Sequence, residues 1–365
     1  MYNEHSESVV TGSSFTGNTA GNGGGGMANF HTGMPSVTDC VFEANHAGNG
    51  GGMYNSSSMP LVVHCTFVAN TASRGGGIGN HDGNAHVESC TFTANVASSQ
   101  GGGLYDGNMY GSGTYVTDSV FEQNSSGAAG GAVYAGPLVE DDNLTIVNSV
   151  FVDNHSDFGG AVSGTRTMNL KIINSIFARN TAVTGGGAYS VGAINIGTTM
   201  TNCTFFENSA GVTGGAILTG GRSWQEDLLI TNCILWGNSA PEGPEMSLDL
   251  EGTISIDYSD VQGGQSSIHV DPDCNLDWGP GMIDTDPFFL DSLNDDYRLT
   301  FASPCIDAGD NDAPSLPDRD FEGDPRVFHG NGKGGHLGGS PPPGAFVDMG
   351  ADEYCLMKRT TLTQR

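Results

Sequence analysis

An aromatic residue followed three positions later by asparagine recurs along this chain at Phe15/Asn18, Phe42/Asn45, Phe67/Asn70, Phe92/Asn95, Phe121/Asn124, Phe151/Asn154, Phe177/Asn180 and Phe205/Asn208. A ninth copy, Leu235/Asn238, puts leucine in the aromatic place. Successive copies start 27, 25, 25, 29, 30, 26, 28 and 30 residues apart. Two residues after each Asn stands Ala or Ser; a Gly-Gly pair follows, then Gly or Ala, then an apolar residue, as in Gly130-Gly131-Ala132-Val133 and Gly214-Gly215-Ala216-Ile217. A unit this short cannot bury its own apolar side, so neighbouring units must stack.

The stacked units are strands. Leu61 to Phe67 and Leu170 to Phe177 are rich in β-branched and aromatic residues and bounded by Gly and Asn, and no segment repeats apolar residues at helical spacing. The fold expected is therefore all-β, a right-handed parallel β-helix of about ten coils, each rising ~4.8 Å. Phe at equal positions predicts one internal column. The residues two before it (Cys40, Cys65, Cys90, Ser119, Ser149, Ser175, Cys203, Cys233) are small and share its face. Asn is expected at a bend in left-handed backbone, with its amide bonding along the stack. The Gly run suits a corner with no room for Cβ.

The ninth copy replaces Gly-Gly by Pro241-Glu242-Gly243-Pro244, and proline cannot donate to a ladder. This places the solenoid at 1–262, an irregular Asp-, Pro- and Gly-rich cap over the last coil at 263–354, and a tail at 355–365. Met1-Tyr2-Asn3 repeats Met53-Tyr54-Asn55, so the chain is expected to begin partway round a coil.

The Phe-x-x-Asn and Gly-Gly-Ala-Ile-like segments resemble the repeats of chlamydial polymorphic outer membrane proteins and the wider bacterial right-handed β-helix families. A second string resembles the "choice-of-anchor Q" C-terminal region of bacterial proteins. It includes Tyr258-Ser259-Asp260-Val261, Asp286-Pro287-Phe288-Phe289, Ser303-Pro304-Cys305-Ile306-Asp307-Ala308-Gly309-Asp310 and Val347-Asp348-Met349-Gly350-Ala351-Asp352-Glu353-Tyr354. Together the resemblances imply an exported bacterial protein, extracellular or at the cell surface.

Charge narrows the partners. Lys plus Arg number 12 against 41 Asp plus Glu, a formal net charge of −29, which argues against nucleic acid and against an anionic membrane surface. No run approaches the ~18 apolar residues a membrane span needs. The same acidity suits Ca²⁺: Asp307, Asp310 and Asp312, and then Asp318, Asp320 and Glu322, space carboxylates along loops as hard cations require, although the second run carries His329 where an EF-hand has Glu. No other cofactor is indicated. The ladder cysteines read as reduced packing thiols, and Cys305–Cys355 is the candidate disulfide.

The residue after each inward apolar position should point outward, which gives Tyr2, Ala28, Tyr54, Gly79, Tyr105, Tyr134, Ser163, Tyr189 and Leu218. Tyr54, Tyr105, Tyr134 and Tyr189 would form a flat aromatic row for a polysaccharide or cell-surface glycan. The function expected is structural or adhesive, as a monomer, with glycan binding. The competing reading is a polysaccharide lyase or glycoside hydrolase of the pectate-lyase-like superfamily. Its Asn-Thr-Asp and Arg-Ile-Lys signatures are missing, and no catalytic residue can be named from the sequence.

Overall fold

The computed structural model describes residues 1–5, 7–31, 33–107, 113–136, 142–165, 168–192, 197–220, 227–249, 252–328 and 346–354. The chain coils through parallel sheets. Sheet A has eleven strands from Tyr2–Glu4 to Ile268–Val270, and sheet B has eleven from Val9–Thr11 to Asn275–Trp278. Sheet C has ten, from Ser14–Thr16 to Asp260–Val261. A fourth ladder, D, runs from Thr71–Arg74 to Ser209–Ala210 and is extended at both ends by single bridges. The all-β parallel solenoid is as the repeat requires.

Inside, equal positions stack. Phe15, Phe42, Phe67, Phe92, Phe121, Phe151, Phe177 and Phe205 form a column with ring centroids 4.5–5.0 Å apart and planes within 9°. Leu235 and Val261 continue it. Asparagine forms a second column beside it. Asn45 donates from both its amide N (3.0 Å) and its Nδ2 (2.9 Å) to Asn70 Oδ1, and Nδ2 also reaches the Phe15 carbonyl at 2.7 Å. The pattern repeats to Asn238, whose Nδ2 ends the ladder on Glu245 Oε2 at 2.6 Å. Buried amides fully paired in this way stabilise the coil and hold its register.

The left-handed residue at this bend is the one before each Asn (Ala44, Ala69, Ala94, Gln123, Asp153, Arg179, Glu207), not the Asn itself. Asn is selected for its two-way amide rather than its backbone tolerance. The Cys/Ser column is also polar: Cys65 N donates to Cys90 Sγ at 3.3 Å, and the Cys65 thiol donates to the Val63 carbonyl at 3.3 Å. All five ladder cysteines are free thiols. At the corner entering sheet A, Gly50 has φ +59°, and a Cβ on Gly51 would lie 2.5 Å from the Gly76 and Thr71 carbonyl oxygens.

The parallel ladders continue past residue 262 through Ile268–Val270 and Asn275–Trp278, because a coil needs inward apolar residues there (Ile268, Leu276) and not the Gly-Gly motif. Among the described residues, the region beyond the last coil runs as a strap along the solenoid's flank rather than over its end, where the cap was expected. Its short antiparallel pairs, Phe289–Asp291 with Asp296–Leu299 and Val327–Phe328 with Phe346–Val347, lie with it along the outer face of sheet C. Phe289, Tyr297 and Ala351 pack there on Val152, Ile176, Ala178 and Phe206, and Leu299 and Met349 on Ile234.

Candidate functional site

Sheet A's outer face carries the aromatic row. Its in-register column is Tyr2, Ala28, Tyr54, Gly79, Tyr105, Tyr134, Ser163, Ser190, Leu218, Ser247 and His269. Tyr189 is not in it. Tyr189 pairs with Val162 and Ile217 in the inward column, is fully buried, and lies with its hydroxyl 3.4 Å from Thr198 Oγ1. The glycine run before it has one more glycine than its neighbours, so Ala188 takes the corner position and the outward residue is Ser190. A slip of one residue reverses the face of every side chain in a strand.

Three of the four predicted tyrosines do share the face. Tyr105 and Tyr134 stack with centroids 5.6 Å apart and planes 6° apart. Their rings lie against Gly107 and Gly136, where a Cβ would meet ring atoms at 2.5 and 2.4 Å. Tyr134 is only 6% exposed, a correction to its expected exposure, because the ring folds down onto the strand rather than standing off it. Tyr54 and Tyr105 are half-buried, and burial raises both phenol pKa values, with the positive charge of Arg74 pulling Tyr105 partly back. Two residues overlooked in the sequence bridge the gaps. Phe30, on the strand carrying Ala28, lies 5.2 Å from Tyr2 and 5.7 Å from Tyr54. Arg74 sets its guanidinium 5.5 Å from the Tyr105 ring centroid in the coil where Gly79 replaces an aromatic residue. The signal for Phe30 was its i+2 spacing from Ala28.

A face built from a stacked Gly-corner, a sheet A strand and the preceding Phe-x-x-Asn strand can be compared with known repeats. Two coils match the Chlamydia polymorphic membrane protein repeat. The matching segments are residues 118–136 and 202–220. Each polymorphic-membrane-protein-type segment runs from the left-handed residue before sheet C (Asp118, Asn202), through Phe and the ladder Asn, to the outer face of sheet A. The A-to-B connection, where coils differ in length, lies outside both matches. No curated protein matches the chain. Among the described residues, no helix is long and apolar enough to cross a membrane.

No three of the six expected calcium carboxylates bring ligand atoms within 4.8 Å of one another. Asp310 Oδ1 accepts the Asp312 amide at 3.0 Å, the Asp310 backbone joins Asn232, and the Asp318 carbonyl accepts the Arg326 amide. The Asp307 amide donates to Asp348 Oδ1 at 2.6 Å. Buried Asp320 accepts the amides of Asp324 and Glu353, and Glu322 lies 4.0 Å from Arg298. These acids close the turns of the strap and tie it together. Cys305 is a free buried thiol donating to Asp260 Oδ2 at 3.3 Å, and Cys355 lies outside the described residues. Burial pushes the Asp260 carboxyl up to about 6 and the Cys305 thiol well above its usual range.

Among the described basic residues of the coils, Arg179 sits between carboxylates. Arg179 bonds Asp153 Oδ1 at 3.1 Å, Asp295 Oδ1 at 2.7 Å and Tyr297 Oη at 2.9 Å. Partial burial works against its charge, but the bonds to Asp295 and Asp153 more than offset this and raise its pKa. It fastens the strap to sheet C.

Proposed function

We propose that this chain is a rigid, surface-exposed stalk whose sheet A face contacts an extended polysaccharide through Tyr54 and Tyr105, with the buried Tyr134 ring stacked behind Tyr105 as support. The single observation that carries the reading is the near-continuous row Tyr2, Phe30, Tyr54, Arg74 over Tyr105, and Tyr134 on one face of successive coils. Aromatic faces stack on the apolar faces of sugar rings, and several weak contacts along one chain add through effective concentration. The repeat matches and the resemblance of the strap to choice-of-anchor Q regions support an exported protein at the cell surface. An acidic polysaccharide would use Arg74, the one cation in the row.

The test is retention of the full chain on immobilised polysaccharides of differing charge. The Tyr54→Ala/Tyr105→Ala pair should lose retention while circular dichroism and thermal unfolding stay close to wild type. Unchanged retention would sink the contact face. Arg179 between two carboxylates is the specific observation that favours a lyase as a second reading. As a base it would have to give up its proton, and Asp153 and Asp295 hold that proton in place. New unsaturated uronates from acidic polysaccharides, abolished by Arg179→Ala, would establish the lyase instead.

A further inference from the structure

The same face of sheet A changes chemistry toward the end of the solenoid. The strand Met246–Asp249 pairs with Ile268–Val270, with Ser247 opposite His269, and the Asp271 amide donates to the Leu248 carbonyl at 3.0 Å. The ladder therefore sets Asp249 and Asp271 against each other on adjacent strands. Like charges at directly opposed positions repel, and nothing in the coil repeat requires them there. His269 completes the group: its Nε2 is 3.2 Å from Asp271 Oδ1. One ligand atom from each of Asp249, His269 and Asp271 lies within 4.8 Å of the other two, and all three side chains are half-exposed. Ser247 Oγ donates to Asp249 Oδ1 at 2.7 Å, the kind of outer bond that orients a ligating carboxylate. Among the described residues, no Lys or Arg pairs with either acid.

We infer that Asp249, His269 and Asp271 form a binding site for a divalent transition-metal cation of the zinc class. Two carboxylate oxygens and one imidazole nitrogen from two successive coils neutralise the opposed acids and leave further coordination positions to water. The imidazole separates this site from a calcium site, which takes six to eight oxygens. It is also distinct from the other His-containing group, Glu4, His5 and His31, which is exposed and whose hydroxyl bond, from Tyr2 Oη to Glu4 Oε2, is longer at 3.5 Å.

The experiment is a Zn²⁺ titration of the chelator-treated full chain by calorimetry, with Co²⁺ followed by its visible absorption. The expected result is a site lost or weakened at least ~10-fold in both His269→Ala and Asp249→Asn, with metal-free thermal unfolding unchanged in each. The His5→Ala/His31→Ala variant should keep that site. Wild-type affinity in both site variants, loss of binding in the His5/His31 variant alone, or the absence of any binding would overturn the site. Displacement of Co²⁺ by modest Ca²⁺ would overturn the choice of metal class.

Discussion

The coils up to Glu122 and the coils from Val150 onward share one backbone but present different outer faces on sheet C. In the first set the outward positions are Ser14, Thr16, Val41, Glu43, Thr66, Val68, Thr91, Thr93, Val120 and Glu122, all exposed or half-exposed. In the second they are Val150, Val152, Ile176, Ala178, Thr204, Phe206, Ile234 and Trp236, and the strap covers them. The left-handed corner before sheet C changes in step. It holds Asp39, His64, Ser89 and Asp118 in the bare coils, and Asn148, Asn174, Asn202 and Asn232 in the covered ones. Three of those asparagines bond the strap directly: Asn174 Nδ2 to the Arg319 carbonyl at 2.6 Å, Asn202 Nδ2 to Asp348 at 2.9 Å and Asn232 Nδ2 to Asp310 at 3.0 Å. Inner columns make a coil; outer columns record what lies on it.

The largest effect should be blind to this difference. Phe67→Ala in a bare coil and Phe177→Ala in a covered one each remove a fully buried ring and should each cost ~3–5 kcal/mol. A much smaller loss for Phe67 in denaturant titration would show that the strap, rather than the column, holds the fold.

Arg326→Ala should cost a similar ~3–5 kcal/mol, confined to the strap. Fully buried Arg326 donates to Glu353 Oε2 at 3.2 Å, to the Ala351 carbonyl at 2.6 Å and to Asn174 Oδ1. Without it, the buried acceptors on Glu353, Ala351 and Asn174 lose their donor. Hydrogen exchange should rise in the strap and in coils 150–261 and stay unchanged in the bare coils; a uniform rise would remove the distinction.

Outer positions should then separate the regions. Ile176→Ala, under the strap, is expected to cost ~2–4 kcal/mol, and Thr91→Ala, its bare counterpart, within ~0.5 kcal/mol. Equal costs in urea unfolding would mean that the strap packs too loosely to matter.

A smaller contrast than that of Ile176→Ala is a pH dependence. Burial raises the Asp348 carboxyl to about 7, and raises Asp352 and Glu353 well above their usual range. The folded strap thus binds more protons than the unfolded chain. This contribution is complete below the ordinary carboxylate range near ~4 and is lost as pH rises through 7. Limited proteolysis should release the strap faster at pH 8 than at pH 5, by on the order of 1–2 kcal/mol in opening free energy. Faster release at the acid end would reverse the assignment.

Much of this could be read from the chain. The Phe column, the Asn ladder and the glycine corner announce themselves because stacking forces the same choice at every turn. The strap's seat left a mark that the sequence reading did not use: Val150-Phe151-Val152, Ile176-Phe177-Ala178 and Ile234-Leu235-Trp236 are apolar on both faces, as a strand covered on both sides must be. Tyr189 was misplaced because one additional glycine shifts the face by one residue, and glycine counts alone do not show which glycine takes the left-handed corner.

What the sequence determined by itself is the coil: its strands, inward columns and parallel register, since each follows from local pattern and nearest-neighbour stacking. The tertiary structure decided what meets across long separations. It brought Arg326 to Asn174, Asp295 to Arg179, and the strap to sheet C's flank rather than the solenoid's end. It also placed Phe30 and Arg74 in the tyrosine row, and His269 beside two opposed aspartates. Outer side chains are under no stacking rule, so their partners depend on where irregular segments come to rest, and that is settled by shape, burial and charge together.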